Sequence, residues 1–153
     1  MSLREELEDF YAQYAEAIDS GALERWPELF AEPCLYRIVS KENHDKGLPL
    51  SLMLCESLGM LRDRAHASKE LNVYAPRAWR HSITQIRGKE DAGRISAQAN
   101  FVVFETLPDQ HTRILCAGRY VDTLMRTESG VRLREKTCIY DTTLIPGSIV
   151  MPL

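Results

Sequence analysis

The hydrophobic positions of this chain change period partway along it. Leu3, Leu7, Phe10, Tyr11, Tyr14 and Ile18 fall on one stripe at helical spacing. Ser2-Leu3-Arg4-Glu5 precedes the stripe as a capping box, so the pattern predicts a first helix over Leu3–Asp19. Ser20-Gly21 ends it. A short second helix is expected over residues 22–30, anchored by Trp26, Leu29 and Phe30, with Pro27 in a first turn or at a kink. Pro33 opens a strand through Val39. A polar loop with Asn43, His44 and Gly47 follows, then an apolar run over residues 50–55. Residues 56–71 read as a third helix with Leu58, Leu61 and Ala65 on one face, and Ala75-Pro76 stops that region.

From Trp79 onward the period is two. Ile95, Ala97, Ala99, Phe101 and Val103 alternate with Ser96, Gln98, Asn100 and Val102. Residues 79–87 are expected to pair with residues 94–106 across the turn at residues 90–93. Pro108-Asp109 makes the next turn. A long hairpin then occupies residues 112–145 around Glu128-Ser129-Gly130. Helices come first and an antiparallel meander comes last, which is an α+β order. A bent meander wrapped on one long N-terminal helix resembles the NTF2-like (cystatin-like) cone. Neither a linker nor a repeat divides the chain, so one domain over residues 1–153 is expected.

Composition narrows the function. A net charge of -3 gives no electrostatic footprint for nucleic acid. No apolar window is long enough to span a membrane, and the early charges of MSLREELEDF do not fit a secretory signal, so a cytoplasmic chain is expected. Cys34, Cys55, Cys116 and Cys138 are widely spaced with no close pair, as four separate core thiols would be.

The candidate chemistry is sparse. No H-E-x-x-H, G-x-S-x-G or Gly-rich phosphate loop occurs. His44, His66 and His111 read as solvated, with His66 sharing a helix face with Asp63. His81 sits early in a strand, where it could face a cone interior. Asp122 and Asp141 interrupt apolar strand sequence, and a buried carboxylate must be paired. Such a carboxylate could be a general base with a pKa raised by desolvation. It could equally be an ion-pair partner of Arg80, Arg119, Arg132, Arg134 or Lys136, and that reading is favoured. The tract Gly47-Leu48-Pro49-Leu50-Ser51-Leu52-Met53-Leu54 is core or an intersubunit patch.

Several segments together resemble the small (β) subunits of aromatic-ring-hydroxylating Rieske non-haem iron dioxygenases. They are Phe10-Tyr11-Ala12-Gln13-Tyr14 with Asp19, Trp26-Pro27-Glu28-Leu29-Phe30, Tyr36-Arg37, Leu61-Arg62-Asp63-Arg64, Arg80-His81, Gly118-Arg119-Tyr120-Val121-Asp122 and Cys138-Ile139-Tyr140-Asp141. Glu42-Asn43, Gly47-Leu48-Pro49-Leu50 and the ending from Tyr140 resemble salicylate 5-hydroxylase and terephthalate dioxygenase small subunits, which act on single-ring aromatic carboxylates. The resemblance implies a non-catalytic subunit in aromatic catabolism, with no catalytic, cofactor or metal residue of its own. It implies a partner α subunit holding a Rieske [2Fe-2S] cluster and a mononuclear Fe(II). Electrons would come from NAD(P)H through reductase components. Self-association as a homotrimer within an α3β3 hexamer follows, with residues 48–54 and 149–153 as interface candidates. The chain itself has no C-x-H…C-x-x-H for a Rieske cluster.

Two other readings stand beside this one. A free-standing cone isomerase or dehydratase would need an open pocket, with Tyr36, His81, Asp122 and Asp141 as its candidate residues. A small-ligand binder would need an apolar pocket without a catalytic group.

Overall fold

Seventeen residues, Leu3–Asp19, form helix α1. Ser2 caps it as the sequence predicts: its side chain accepts from the Glu5 N–H, and the Glu5 carboxylate accepts from the Ser2 N–H at 2.7 Å. The buried face of α1 is Leu7, Phe10, Tyr11, Tyr14, Ala17 and Ile18, in steps of three and four. These contacts belong to a computed structural model that describes residues 1–74, 76–142, 144, 149 and 151–153.

The remaining elements follow in chain order: β1 (Phe30–Ser40), α2 (Lys41–Asp45), β2 (Met53–Cys55), α3 (Leu58–Tyr74), β3 (Ala78–Asp91), β4 (Arg94–Thr106), β5 (Arg113–Thr127) and β6 (Gly130–Tyr140). The strands make one six-stranded sheet in the order β2-β1-β6-β5-β4-β3. All neighbours are antiparallel except β1 and β6, which run parallel. The alternation read in β4 is real: Ile95, Ala97, Ala99, Phe101 and Val103 are all buried, and their neighbours in sequence face outward. The β3–β4 turn places Ala92 and Gly93 at positive φ, the backbone twist a two-residue hairpin requires.

Register shifts interrupt β3 between Thr84 and Arg87, β5 at Leu115 opposite β4, and β6 at Arg134 opposite β5. In β3 the shift coincides with Gln85 at φ 53°. Bulges of this kind bend strands and increase their twist, which lets the sheet wrap onto α1. Helix α1 packs on β3, and α3 packs on β1 and the turns before it.

Two expectations are corrected. Residues 22–30 do not form a helix: two 3-10 turns, Leu23–Arg25 and Pro27–Leu29, lead directly into β1, which begins at Phe30. Pro27 has no N–H to continue a ladder and instead starts the second turn. The polar loop after β1 is the short helix α2. Ser40 caps it by accepting from the Asn43 N–H, and Lys41–Asp45 and Glu42–Lys46 pair across one turn. Ala75 and most of residues 143–150 lie outside the described residues.

Candidate functional site

The interior of the cone is where a pocket would be. Its centre is a buried ion pair: Lys136 Nζ lies 2.9 Å from Asp122 Oδ2, and both side chains are sealed from solvent. The two residues face each other across β5 and β6 in register, on the inward side. Tyr11 from α1 donates its hydroxyl to the same Asp122 oxygen at 2.5 Å. Lys136 Nζ sits 3.3 Å from the Tyr120 ring centroid and 4.3 Å from that of Tyr14, a cation held against aromatic faces. Tyr120 in turn stacks on Phe101 and Tyr11. Burial pushes the Asp122 carboxyl up, and Lys136 and the Tyr11 hydroxyl oppose that rise. Of the partners considered for Asp122, Lys136 is the one the fold supplies.

The rest of the interior is occupied by the chain's own last described residues. Met151 and Leu153 are buried. Leu153 O accepts from the Tyr14 hydroxyl at 2.6 Å, the Tyr36 hydroxyl at 3.2 Å and the Cys138 thiol at 3.5 Å. Leu153 N–H donates to Tyr36 Oη at 2.8 Å. Trp26 Nε1–H donates to Tyr14 Oη at 3.3 Å, and the Trp26 ring meets Tyr36 edge-on. Tyr36 is therefore wholly engaged in holding residue 153. Residues 151–153 do not offer the exposed interface expected of them, because they are packed inside.

His81 and Asp19, 62 positions apart, meet where α1 ends against β3. Asp19 accepts the His81 backbone N–H at 2.8 Å, and its second oxygen lies 2.6 Å from His81 Nδ1. The imidazole is sealed from solvent, and its Nε2 has no hydrogen-bond partner among the described residues. This carboxylate–imidazole pair anchors the C-terminal end of α1 to the sheet and fixes the ring orientation.

Asp141 and Arg80 do not join any of these groups. Both are exposed, and Asp141 sits just past the end of β6, its N–H donating to the Ala117 carbonyl. A residue following the last inward position of an edge-distant strand has left the sheet, so the expected inward carboxylate is absent there. The other histidines are peripheral: His66 pairs with Glu70 at 3.2 Å instead of with Asp63, His44 lies 3.7 Å from Asp45, and His111 is exposed. One buried cluster escaped the sequence reading. Glu105 is completely buried between Arg77 at 3.0 Å and Arg113 at 2.6 Å. Arginines flanking a carboxylate at the ends of two strands were its only signal.

Outside the cone, the tract after α2 is exposed and apolar. Leu48, Leu50, Leu52 and Leu54 face solvent, Leu50 to 71%, and Met60 joins them. Met53 and Cys55 point inward, so Leu54 lies on the outer face of β2, the edge strand of the sheet. Two surface grooves, of about 330 and 450 Å³, involve Pro33, Met125 and Arg134 in the first and Pro27, Arg62 and His66 in the second. Neither includes Tyr36, His81, Asp122 or Asp141.

Cys34, Cys55, Cys116 and Cys138 are free and buried, and burial pushes the Cys116 and Cys138 thiols up to about 12. Among the described residues no group of three or more His, Cys, Asp or Glu is placed to hold a metal ion. The donors present do not fit a Rieske cluster or a facial triad. No helix among the described residues is long and apolar enough to cross a membrane.

Comparison with known proteins agrees with this arrangement. Residues 13–147 match the family model for the ring hydroxylating beta subunit. The small subunit of anthranilate 1,2-dioxygenase from Burkholderia cepacia is 38% identical over 143 residues, covering 92% of this chain and 88% of that one. The terminal oxygenase subunit beta 2 of terephthalate 1,2-dioxygenase from Comamonas sp. is 33% identical over 146 residues, 94% of each. A solved beta subunit assigned to the aromatic-ring-hydroxylating dioxygenases of Novosphingobium aromaticivorans DSM 12444 superposes with a TM-score of 0.86 at 39% identity, covering 98% of this chain and 96% of the other. An NTF2-like protein with a cystatin-like fold from the same species, 18% identical over 95% of this chain and 83% of its own, shares the fold with a TM-score of 0.69. This chain belongs to the ring-hydroxylating beta-subunit family and is the small subunit of an aromatic-ring-hydroxylating dioxygenase, an oxidoreductase complex.

Proposed function

We propose that the chain is a non-catalytic structural subunit, folded as one unit over residues 1–153. It supports a large subunit that carries the Rieske [2Fe-2S] cluster and the mononuclear iron. The observation that carries this reading is the filled cone. Tyr36 is hydrogen-bonded to Leu153, Asp122 is paired with Lys136 and Tyr11, and Asp141 faces solvent. The isomerase or dehydratase reading needs those three residues and His81, which is paired with Asp19, around an open pocket, and the small-ligand reading needs an empty one.

A structural subunit needs outward contacts instead. The exposed leucines at 48, 50, 52 and 54 form an apolar edge of the kind isolated domains seldom expose. Cyclic self-association as a trimer within an α3β3 hexamer is the closed arrangement we assign to it, in the cytoplasm. The relatives named for anthranilate and terephthalate support a single-ring aromatic carboxylate as the substrate of the whole complex.

The test has two parts. Metal analysis of the purified chain is expected to find no stoichiometric iron. His81→Ala and Asp122→Ala are then assembled with the large subunit, and turnover is normalised to its iron. The expected result is lower stability and yield with nearly unchanged turnover per iron site. A stably folded variant whose own isolated activity has vanished would overturn the subunit reading.

A further inference from the structure

Strand β6 carries one residue more than its neighbours allow for. Pairing sets Thr123 against Glu135 and Leu124 against Leu133, so Arg134 has no counterpart on β5. The irregularity repeats on the other side of β6. There Phe30 stands against Leu133 and Leu35 against Glu135, which leaves residues 31–34 of β1 opposite Arg134 alone. Leu133 and Lys136 are fully buried on the inward side, so Arg134 and Glu135 between them take the place of one outward residue. Bulges of this kind re-aim side chains.

The groove of about 330 Å³ lies where the sheet is opened in this way. Thr123 and Met125 line it and alternate with buried Asp122 and Leu124, which puts the groove on the outer face, away from the filled cone. Pro33 and Leu35 of β1 complete its apolar wall with Met125. Its charges are Arg134, Glu135 and Arg94, which stands opposite Met125 at the start of β4. Arg134 Nε is sealed from solvent without a hydrogen-bond partner, and neither arginine is ion-paired among the described residues. Buried N–H donors ordinarily have an acceptor. Glu135 lines the same groove and does not supply it. Burial and Glu32 raise the Cys34 thiol, and the Arg134 guanidinium lies close enough to oppose that rise. Two cations and one carboxylate leave the groove net positive beside an apolar wall, and a guanidinium fork matches a carboxylate in shape and charge.

We propose that this groove binds a small carboxylate with a compact apolar body. Arg134 takes the carboxylate, Arg94 adds a second positive charge, and Pro33, Leu35 and Met125 take the body. The volume stands at the small end of ligand pockets and suits a single ring. The site goes beyond the subunit reading; only the choice of an aromatic acid as probe rests on it.

Benzoate is titrated by calorimetry into the full chain and into Arg134→Gln, with acetate and benzamide as probes that keep only the charge or only the ring. The expected result is one saturable benzoate site in the parent. Affinity should fall at least about tenfold in Arg134→Gln, and by as much for acetate and for benzamide in the parent. Absence of saturable binding, binding indifferent to Arg134→Gln, or a control probe that matches benzoate overturns the proposal. If Arg134→Gln does not fold, Arg134→Lys, which keeps the charge and loses the fork, decides by the same criterion. The same carboxylate chemistry is offered by a free acid and by an acidic side chain of the large subunit. In the assembled complex the parent is expected to take up one more benzoate per small subunit than the Arg134→Gln complex. Equal uptake assigns the groove to the large subunit and overturns the free-acid proposal. A chain that fails these tests and still assembles leaves the subunit reading untouched.

Discussion

Replacing Asp122 by Ala removes two partners at once. Lys136 Nζ loses its one carboxylate contact among the described residues, at 2.9 Å, and the Tyr11 hydroxyl loses an acceptor at 2.5 Å. Lys136 cannot reach solvent, because its side chain is fully enclosed. Breaking a buried pair from one side costs about 3–5 kcal/mol, chiefly for the charge left unpaired. In a chain of this size about 1 kcal/mol moves the melting temperature by roughly 2–4 °C, so Asp122→Ala should melt roughly 6–20 °C lower. The loss should be largely undone when the other two groups go too. Tyr11→Phe, Asp122→Leu and Lys136→Met together exchange a polar cluster for apolar groups of similar volume, a change that is often neutral or stabilising. Differential scanning calorimetry of the parent, Asp122→Ala and the triple variant decides. A loss below about 2 °C in Asp122→Ala, or a triple variant no more stable than Asp122→Ala, would refute the reasoning.

The same cluster has a pH signature. Burial raises the Asp122 carboxyl above its ordinary value of 3.8, so the folded chain binds this proton more tightly than the unfolded one. Its contribution to stability is complete below the unfolded value and falls as pH rises through the folded one. Measured against Asp122→Asn, which does not titrate, the parent should therefore gain stability as pH is lowered toward 3.8.

Other expectations follow from single contacts. A Cβ at Gly118 would run into the Ile139 carbonyl of the neighbouring strand, which is backbone and cannot swing aside, so Gly118→Ala should be strongly destabilised or insoluble in a thermal-shift assay. Arg126 pairs with Glu6 of α1 and Glu90 of β3, and its bonds hold both carboxyls below their ordinary range. What these acids contribute is present above the unfolded carboxylate pKa and lost as pH falls through the lower folded values; Arg126→Gln should flatten that part of the acid-unfolding curve. Leu50→Lys with Leu52→Lys should shift sedimentation toward smaller species without lowering the melting temperature of the subunit, since both side chains already face solvent.

The parts legible in the sequence are those whose signal is local and repeated. Helix α1 carries a six-residue stripe and a capping box, and β4 carries five alternating apolar positions, so their faces could be assigned before any contact was known. Helix α2 has five residues, too few to show a period, and its evidence was a Ser cap and two pairs that also suit a loop. Strand β3 runs on to Asp91, past the expected end at residue 87, and the bulge near Gln85 puts its second half out of phase with its first. The site divides the same way. Asp122 was legible as a carboxylate that needed a partner, since it stands among apolar strand residues. The identity of that partner depended on the β5–β6 register, which an extra residue at Arg134 of β6 shifts by one.

The least legible feature is the role of residues 149–153. A short apolar ending reads as a surface patch because nothing local tells an apolar segment which surface it covers. Its partners, Tyr14 and Tyr36, are 139 and 117 positions away. Four tyrosines, at 11, 14, 36 and 120, stand on inward faces, and a buried phenol usually finds a polar partner, although the Tyr120 hydroxyl has none among the described residues. Asp122 satisfies Tyr11, and Leu153 satisfies Tyr14 and Tyr36. Inside the cone, three of these phenols meet polar partners within the chain. An enzyme with this fold would leave that requirement for its substrate. Here the chain meets it internally for Tyr11, Tyr14 and Tyr36, and the exposed apolar edge at residues 48–54 is the surface we propose turns toward other subunits.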